Sequence, residues 1–96
     1  KLPPPVYGVD YDLEYGTGRL EIPASGIDIT GRRVLIVDDV LATGGTAVAA
    51  SKLMGLAGAS VVGVAVIMEL ADLGGRARIA AELGPDVSLH AITDDR

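Results

Sequence analysis

The sequence has no cysteine, no tryptophan and no phenylalanine, and its only histidine is His90. The lack of cysteine excludes disulfides and thiolate metal sites and suits a reducing compartment, so a cytoplasmic location is expected. No apolar run reaches the roughly 18 residues that cross a bilayer, and the basic-then-apolar pattern of a signal peptide is missing; no membrane partner is expected. Basic residues are the minority, with 8 Lys and Arg against 13 Asp and Glu and a net charge of -5. That balance argues against nucleic-acid binding through a broad phosphate footprint, although backbone amides can still hold one small anion. The chain starts at Lys1, without a Met, in a proline-rich run. Such a start is expected of a processed chain or of a piece of a longer one.

What is present is aliphatic. A hydrophobic content of 49% in 96 residues suffices for one small core but not for two, so a single domain spanning 1–96 is expected. Short continuous runs of Val, Leu, Ile and Ala suit strands buried on both faces, which points to an α/β architecture around a parallel sheet. Residues 1–5 read as an extended leader, since each proline disfavours the helical region for the residue before it. The β-prone runs of residues 6–15 and 20–22, separated by Gly16-Thr17-Gly18, read as a hairpin flap. Alternation puts Tyr7, Val9, Tyr11, Leu13 and Tyr15 on one side of it and Asp10, Asp12 and Glu14 on the other.

Residues 33–37 form a short apolar run, which predicts a buried parallel strand. Thr46 is the expected N-cap of a helix running to about residue 56, with Val48, Leu53 and Leu56 buried and Gly58 near its end. A strand over 60–68, a helix over 73–83 and an edge strand over 87–91 follow. Strand and helix alternate, as crossovers in a parallel sheet require.

The chemistry concentrates where the first of these strands ends. Asp38 and Asp39 follow Val34-Leu35-Ile36-Val37, and Ala42-Thr43-Gly44-Gly45-Thr46 then opens the helix. Open parallel sheets bind ligands at the carboxyl ends of their strands, which is where the two carboxylates fall. Gly44 and Gly45 let successive amides turn inward and, with the first helical turn, form a cradle for a phosphate; Thr43 and Thr46 add hydroxyls. No Lys follows the glycines and the spacing is not that of a dinucleotide fingerprint, which excludes both of those nucleotide loops. Two carboxylates beside a phosphate make sense if sugar hydroxyls donate to them. A phosphate at one end and a diol at the other describe a ribose 5-phosphate.

The stretch from Val34 to Thr46 resembles the phosphoribosyl pyrophosphate signature of type I phosphoribosyltransferases. Lys1-Leu2-Pro3, the loop Leu13-Glu14-Tyr15-Gly16, Met68-Glu69-Leu70 and Gly74-Gly75-Arg76 are similar to the adenine-specific branch of that family, so the resemblance spans nearly the whole chain. It implies the type I phosphoribosyltransferase fold and transfer of the phosphoribosyl group to adenine, giving AMP and pyrophosphate. It also implies Mg²⁺ bridging pyrophosphate and ribose hydroxyls, and a homodimer. By the same resemblance Ala42, Thr43, Gly44, Gly45 and Thr46 hold the 5-phosphate, Asp38 and Asp39 the ribose, and Lys1 the pyrophosphate. Glu14 would act at the reacting centre within a flexible loop that includes Tyr11, Leu13, Tyr15 and Gly16. The family also has an N-terminal region with an adenine-contacting hood and a pyrophosphate loop, and neither is found in these residues.

Two other readings start from the same residues. An Asp pair after a Val-Leu-Ile-Val strand also suggests a response-regulator receiver, but Ala-Thr-Gly-Gly-Thr does not belong after such a pair, and too few residues follow Asp39 to complete that domain. A regulatory domain that binds phosphoribosyl pyrophosphate without turning it over would keep the cradle, and an inactive truncated piece of the enzyme would do the same. The Tyr7, Tyr11, Tyr15 stripe reads as packing, His90 as structural or exposed, and Glu69 as either a partner of Arg76 or a site residue.

Overall fold

The computed structural model describes residues 6–13, 16–23 and 28–96, with residues 12, 13 and 16 described by their backbone alone. Strands β1 (Val6–Leu13) and β2 (Gly16–Pro23) form an antiparallel hairpin in unbroken register, from Val6 opposite Pro23 to Leu13 opposite Gly16. Gly16, Thr17 and Gly18 therefore lie inside β2, not in the turn that the glycine spacing predicts. Tyr11 stands opposite Gly18, and a Cβ on that glycine would come within 2.9 Å of the Tyr11 ring. A bare glycine in a strand is covered by a cross-strand aromatic, so Gly18 serves pairing here.

The remaining elements alternate as the sequence pattern predicts: β3 (Arg33–Leu41), α1 (Gly45–Leu56), β4 (Ser60–Glu69), a 3-10 turn (Ala71–Leu73), α2 (Gly75–Leu83) and β5 (Ser88–Asp94). The three strands are parallel in the order β3-β4-β5. Strand β3 runs four residues beyond the expected apolar run and takes in both Asp38 and Asp39. The second helix is not continuous from residue 73, because Gly74, at a φ of 75°, separates the 3-10 turn from α2.

Both helices pack on one face of the sheet. Leu41, Ala47, Val64, Val66 and Ile79 form the core, with Ile36, Leu83, Val87, Leu89 and Ala91 packed around them. On its other side α1 meets the hairpin, so Val48, Ala49 and Leu53 are buried as well. Leu56, expected inside, is 54% exposed. It ends the helix just before Gly58 turns the chain out toward Gly31 and β4, beyond the reach of the sheet. The opposite face of the sheet carries Leu35, Val37, Ile67 and Ile92, all exposed. The expectation of strands buried on both faces holds for one face only.

Candidate functional site

The C-terminal end of β3 and the N-terminal end of α1 face each other across a three-residue loop, Ala42, Thr43 and Gly44. Each aspartate at the strand end fastens one oxygen to the chain. Asp38 Oδ1 accepts from the Asp39 amide and Asp39 Oδ1 from the Val40 amide, both at 2.8 Å. The second oxygen of each has no hydrogen-bond partner among the described residues. The loop then closes on Gly44, whose φ of 88° lies in the left-handed region that a side chain resists. Gly44 is the N-cap, and Thr46 sits one turn-step inside the helix. The cap position demands that left-handed φ and lies against the backbone of Gly75, so a threonine cannot take it.

A glycine cap supplies no side-chain acceptor, and α1 has no acidic residue in its first turn. The amides of residues 43–47 accordingly donate to nothing among the described residues, while the Val48 amide closes the first helical bond onto Gly44 O at 3.0 Å. Unpaired amides at the positive end of a helix can hold an anion, whatever the net charge of the chain. Thr43 and Thr46 are exposed beside them. Together with Asp38 these residues line a cavity of about 360 Å³ whose remaining wall is apolar and includes Val40, Leu70 and Leu73. Asp39, next along the strand and so turned the other way, is exposed and lies outside that lining.

Glu69, at the end of β4, pairs with Arg76 on α2. Arg76 Nη2 donates to Oε1 at 2.7 Å and Nε to both carboxylate oxygens at 3.1 and 3.2 Å. These hydrogen bonds hold the Glu69 carboxyl below its ordinary range and raise the Arg76 guanidinium. Glu69 is therefore committed to the join between β4 and α2.

Tyr11 does not line the cavity that holds Asp38, and it meets the loop region only through Gly45, which borders both cavities. It lines a second cavity of about 220 Å³ between the hairpin and α1, with Val9, Thr17, Lys52 and Arg78 among its neighbours, which agrees with packing. Leu13 and Gly16 pair at the end of the hairpin. Lys1, Glu14 and Tyr15 lie outside the described residues.

The sequence profile of the phosphoribosyl transferase domain matches residues 9–93. The chain belongs to that family. Among its phosphoribosyltransferase relatives, the adenine phosphoribosyltransferase of Mycolicibacterium smegmatis is 62% identical over 92 residues, which are 96% of this chain and 50% of the relative. That of Corynebacterium efficiens is 52% identical over 94 residues, 98% of this chain and 46% of the relative. The crystal structure of adenine phosphoribosyltransferase from Rhodothermus marinus matches with a TM-score of 0.81 at 45% identity, covering 98% of this chain and 51% of that one. The Saccharomyces cerevisiae enzyme, solved with D-2,5-dideoxy-2,5-imino-altritol 1,6-bisphosphate and adenine, matches with a TM-score of 0.75 at 37% identity, covering 91% and 47%. The chain spans about half the length of these phosphoribosyltransferases.

The residues singled out from the sequence, Asp38 and 42–46, line this one cavity, but its apolar wall was missed. Leu70 follows the last residue of β4, one strand over from the point where β3 gives way to the loop, and its amide donates to Leu41 O at 2.9 Å. Applying the strand-end rule to β4 as well as β3 would have found it.

Proposed function

We propose that this chain is the ribose 5-phosphate-gripping part of an enzyme that transfers the phosphoribosyl group of phosphoribosyl pyrophosphate to adenine, giving AMP and pyrophosphate. One observation carries the reading: the unpaired amides of residues 43–47 and the open oxygen of Asp38 line a single cavity at the end of a parallel strand. A 5-phosphate fills the amide end and the ribose hydroxyls reach the carboxylate. The yeast relative, solved with a bisphosphate and adenine together, supports the same pairing of ligand chemistries.

Asp38 and Asp39 orient the ribose, with Asp39 working from outside the cavity wall. Glu14 would act at the reacting carbon and Lys1 on the pyrophosphate, with Tyr11, Leu13, Glu14, Tyr15 and Gly16 forming the flap that shuts out water. The bond from the anomeric carbon to pyrophosphate oxygen breaks and one to adenine N9 forms, through a cationic sugar that nearby carboxylates stabilise. Among the described residues no three His, Cys, Asp or Glu side chains gather into a metal cage. Mg²⁺ would accordingly be held through the ligand's own oxygens, with no direct protein ligand, and would neutralise the leaving group. The remaining half of the relatives' length would complete the same domain, supply adenine selectivity and form the rest of a cytoplasmic homodimer.

The test is calorimetric titration of the chain with phosphoribosyl pyrophosphate and Mg²⁺, followed by AMP formation with adenine and with hypoxanthine in parallel. Saturable binding is expected, weakened about tenfold or more in Gly45→Val, which puts a branched side chain where the phosphate approaches. Turnover with adenine alone would extend the reading to catalysis by this chain. Binding without turnover would assign it the ligand-gripping part, and no binding at all would sink the proposal.

A further inference from the structure

We infer that Gly75 and Arg76, at the start of α2, are positioning residues for the phosphate cradle, holding its loop in place from behind. The inference rests on the ribose 5-phosphate reading above and adds residues outside the signature to it. The cradle loop has no fastening of its own, since no side chain caps α1 and the loop amides donate to nothing among the described residues. Its shape must be imposed by what it leans on.

What it leans on is backbone. A Cβ at Gly75 would lie 2.5 Å from the carbonyl oxygen of Ala42 and 2.9 Å from Leu41 Cγ. A Cβ at Gly44 would lie 3.1 Å from Gly75 O and 3.3 Å from Gly75 Cα. The two glycines thus sit back to back, and both are buried. Because the nearest atom, Ala42 O, is main chain, a change of the Leu41 rotamer does not by itself relieve an added methyl at Gly75. Either the loop or the start of α2 must move, and either changes the support behind the loop.

Two ties keep the start of α2 against the loop. The forked bonds of Arg76 to Glu69 anchor α2 to the end of β4. The Leu70 amide, one residue on, anchors that strand end to Leu41 O, immediately before the loop. Ala42, Gly75, Arg76, Glu69, Leu70 and Leu41 therefore close a ring of contacts around the back of the cradle. Placement of the binding amides is set by that ring, and displacements of an ångström in such groups cost about tenfold to a hundredfold in related settings.

The test measures ribose 5-phosphate affinity by calorimetry on the full chain, under conditions where melting curves show each variant folded. Gly75→Ala should bind about tenfold to a hundredfold more weakly. Arg76→Gln should lose about threefold to tenfold, and Arg76→Lys should recover part of that loss, since a lysine restores the charge but not the fork. Gly84→Ala is the control: it places a side chain at the glycine that ends the same helix, at a φ of 94° and with nothing within 4 Å, so it strains α2 without touching the loop. It should bind as the wild type does. Wild-type affinity in folded Gly75→Ala, or an equal loss in Gly84→Ala, would overturn the inference and leave the ribose 5-phosphate reading standing. Should Gly75→Ala not fold, the Arg76 pair decides: a loss in Gln with partial recovery in Lys supports positioning, and wild-type affinity in both overturns it. A wild-type chain that does not bind ribose 5-phosphate would remove the parent reading, and this inference with it.

Discussion

The two faces of the parallel sheet are made of nearly the same residues and meet different surroundings. On one face Val64 and Val66 lie beneath α1 and α2 and are 0% and 4% exposed. On the other, Val37 and Ile67 are 72% and 57% exposed. Alternation along each strand sends neighbours to opposite faces, so a run such as Val34 to Val37 supplies apolar side chains to both. Such a run describes a sheet covered twice, yet the helices of this chain cover it once. The relatives, at about twice the length, have the material for a second layer. The apolar residues of the bare face are thus ones that the fold places correctly and that these 96 residues do not bury.

The largest test of that contrast deletes the same atoms on each face. Ile79, on α2, is 1% exposed, whereas Ile92, on β5, is 82% exposed. Ile79→Ala should cost about 2–5 kcal/mol in denaturant unfolding, enough to threaten a small domain, because a cavity opens beneath Val64 and Val66. Ile92→Ala should stay within about 0.5 kcal/mol, as surface changes do. An Ile92→Ala loss approaching that of Ile79→Ala would mean the bare face is covered in solution and would end the comparison.

A second prediction asks what the bare face does when left to itself. An apolar patch flanked by the edge of β3, unpaired among the described residues, should drive association at raised concentration. Sedimentation should show species larger than the monomer, and the double variant Val37→Lys/Ile92→Lys should shift them to monomer by charge repulsion. A wild-type chain that stays monodisperse and melts cooperatively as a monomer would count against an uncovered face.

How far this could be read beforehand differs between the sheet and the cradle. The strand-helix alternation was legible because Val, Ile and Leu cluster in runs bounded by glycine and aspartate, and the Asp-Asp pair marks the strand end directly. The helix cap was misread because Thr46 is the better capping residue by type. The choice of Gly44 rests on its left-handed φ and on Gly75, 31 positions away in sequence, whose carbonyl oxygen is 3.1 Å from where a Cβ would stand. No local pattern carries that contact. The hairpin turn was misplaced for a related reason: Gly18 looks like a turn residue, and only the cross-strand ring of Tyr11 explains it. Which sheet face would be bare was not legible either, since both faces have the same composition.

A third prediction concerns the join at the rim of the covered face. Arg76 lowers the Glu69 carboxyl from its ordinary value of 4.5, chiefly by hydrogen bonding, with partial burial working against it. A carboxyl depressed by folding contributes stability that is complete above its unfolded value and lost as the pH falls through its folded value. Wild type should therefore be more stable than Arg76→Gln at neutral pH, and the difference should disappear as the pH drops from about 4.5 downward. Half of Arg76 is in water, so the gap should be below about 1 kcal/mol. A gap that persists at low pH would mean that Arg76 acts through packing of its stem instead of its charge.

The smallest effect is the most direct probe of the bare face, because it adds an atom there. A Cβ at Gly63, in the middle of β4, would meet Leu35 Cδ1 at 3.1 Å, with the Ser88 hydroxyl next at 3.4 Å. Both distances are close, but Leu35 is 54% exposed and can swing outward into solvent. Gly63→Ala also removes backbone freedom from the unfolded chain, which favours folding by about 0.4–1 kcal/mol where the native conformation accepts a side chain. The two effects should nearly cancel, leaving stability within about 0.5 kcal/mol of wild type in urea unfolding. That near-neutrality is itself diagnostic, because it depends on Leu35 having open space to enter. A loss well above 1 kcal/mol would show that Leu35 is held, and therefore that something already lies on the face that Leu35, Val37, Ile67 and Ile92 present.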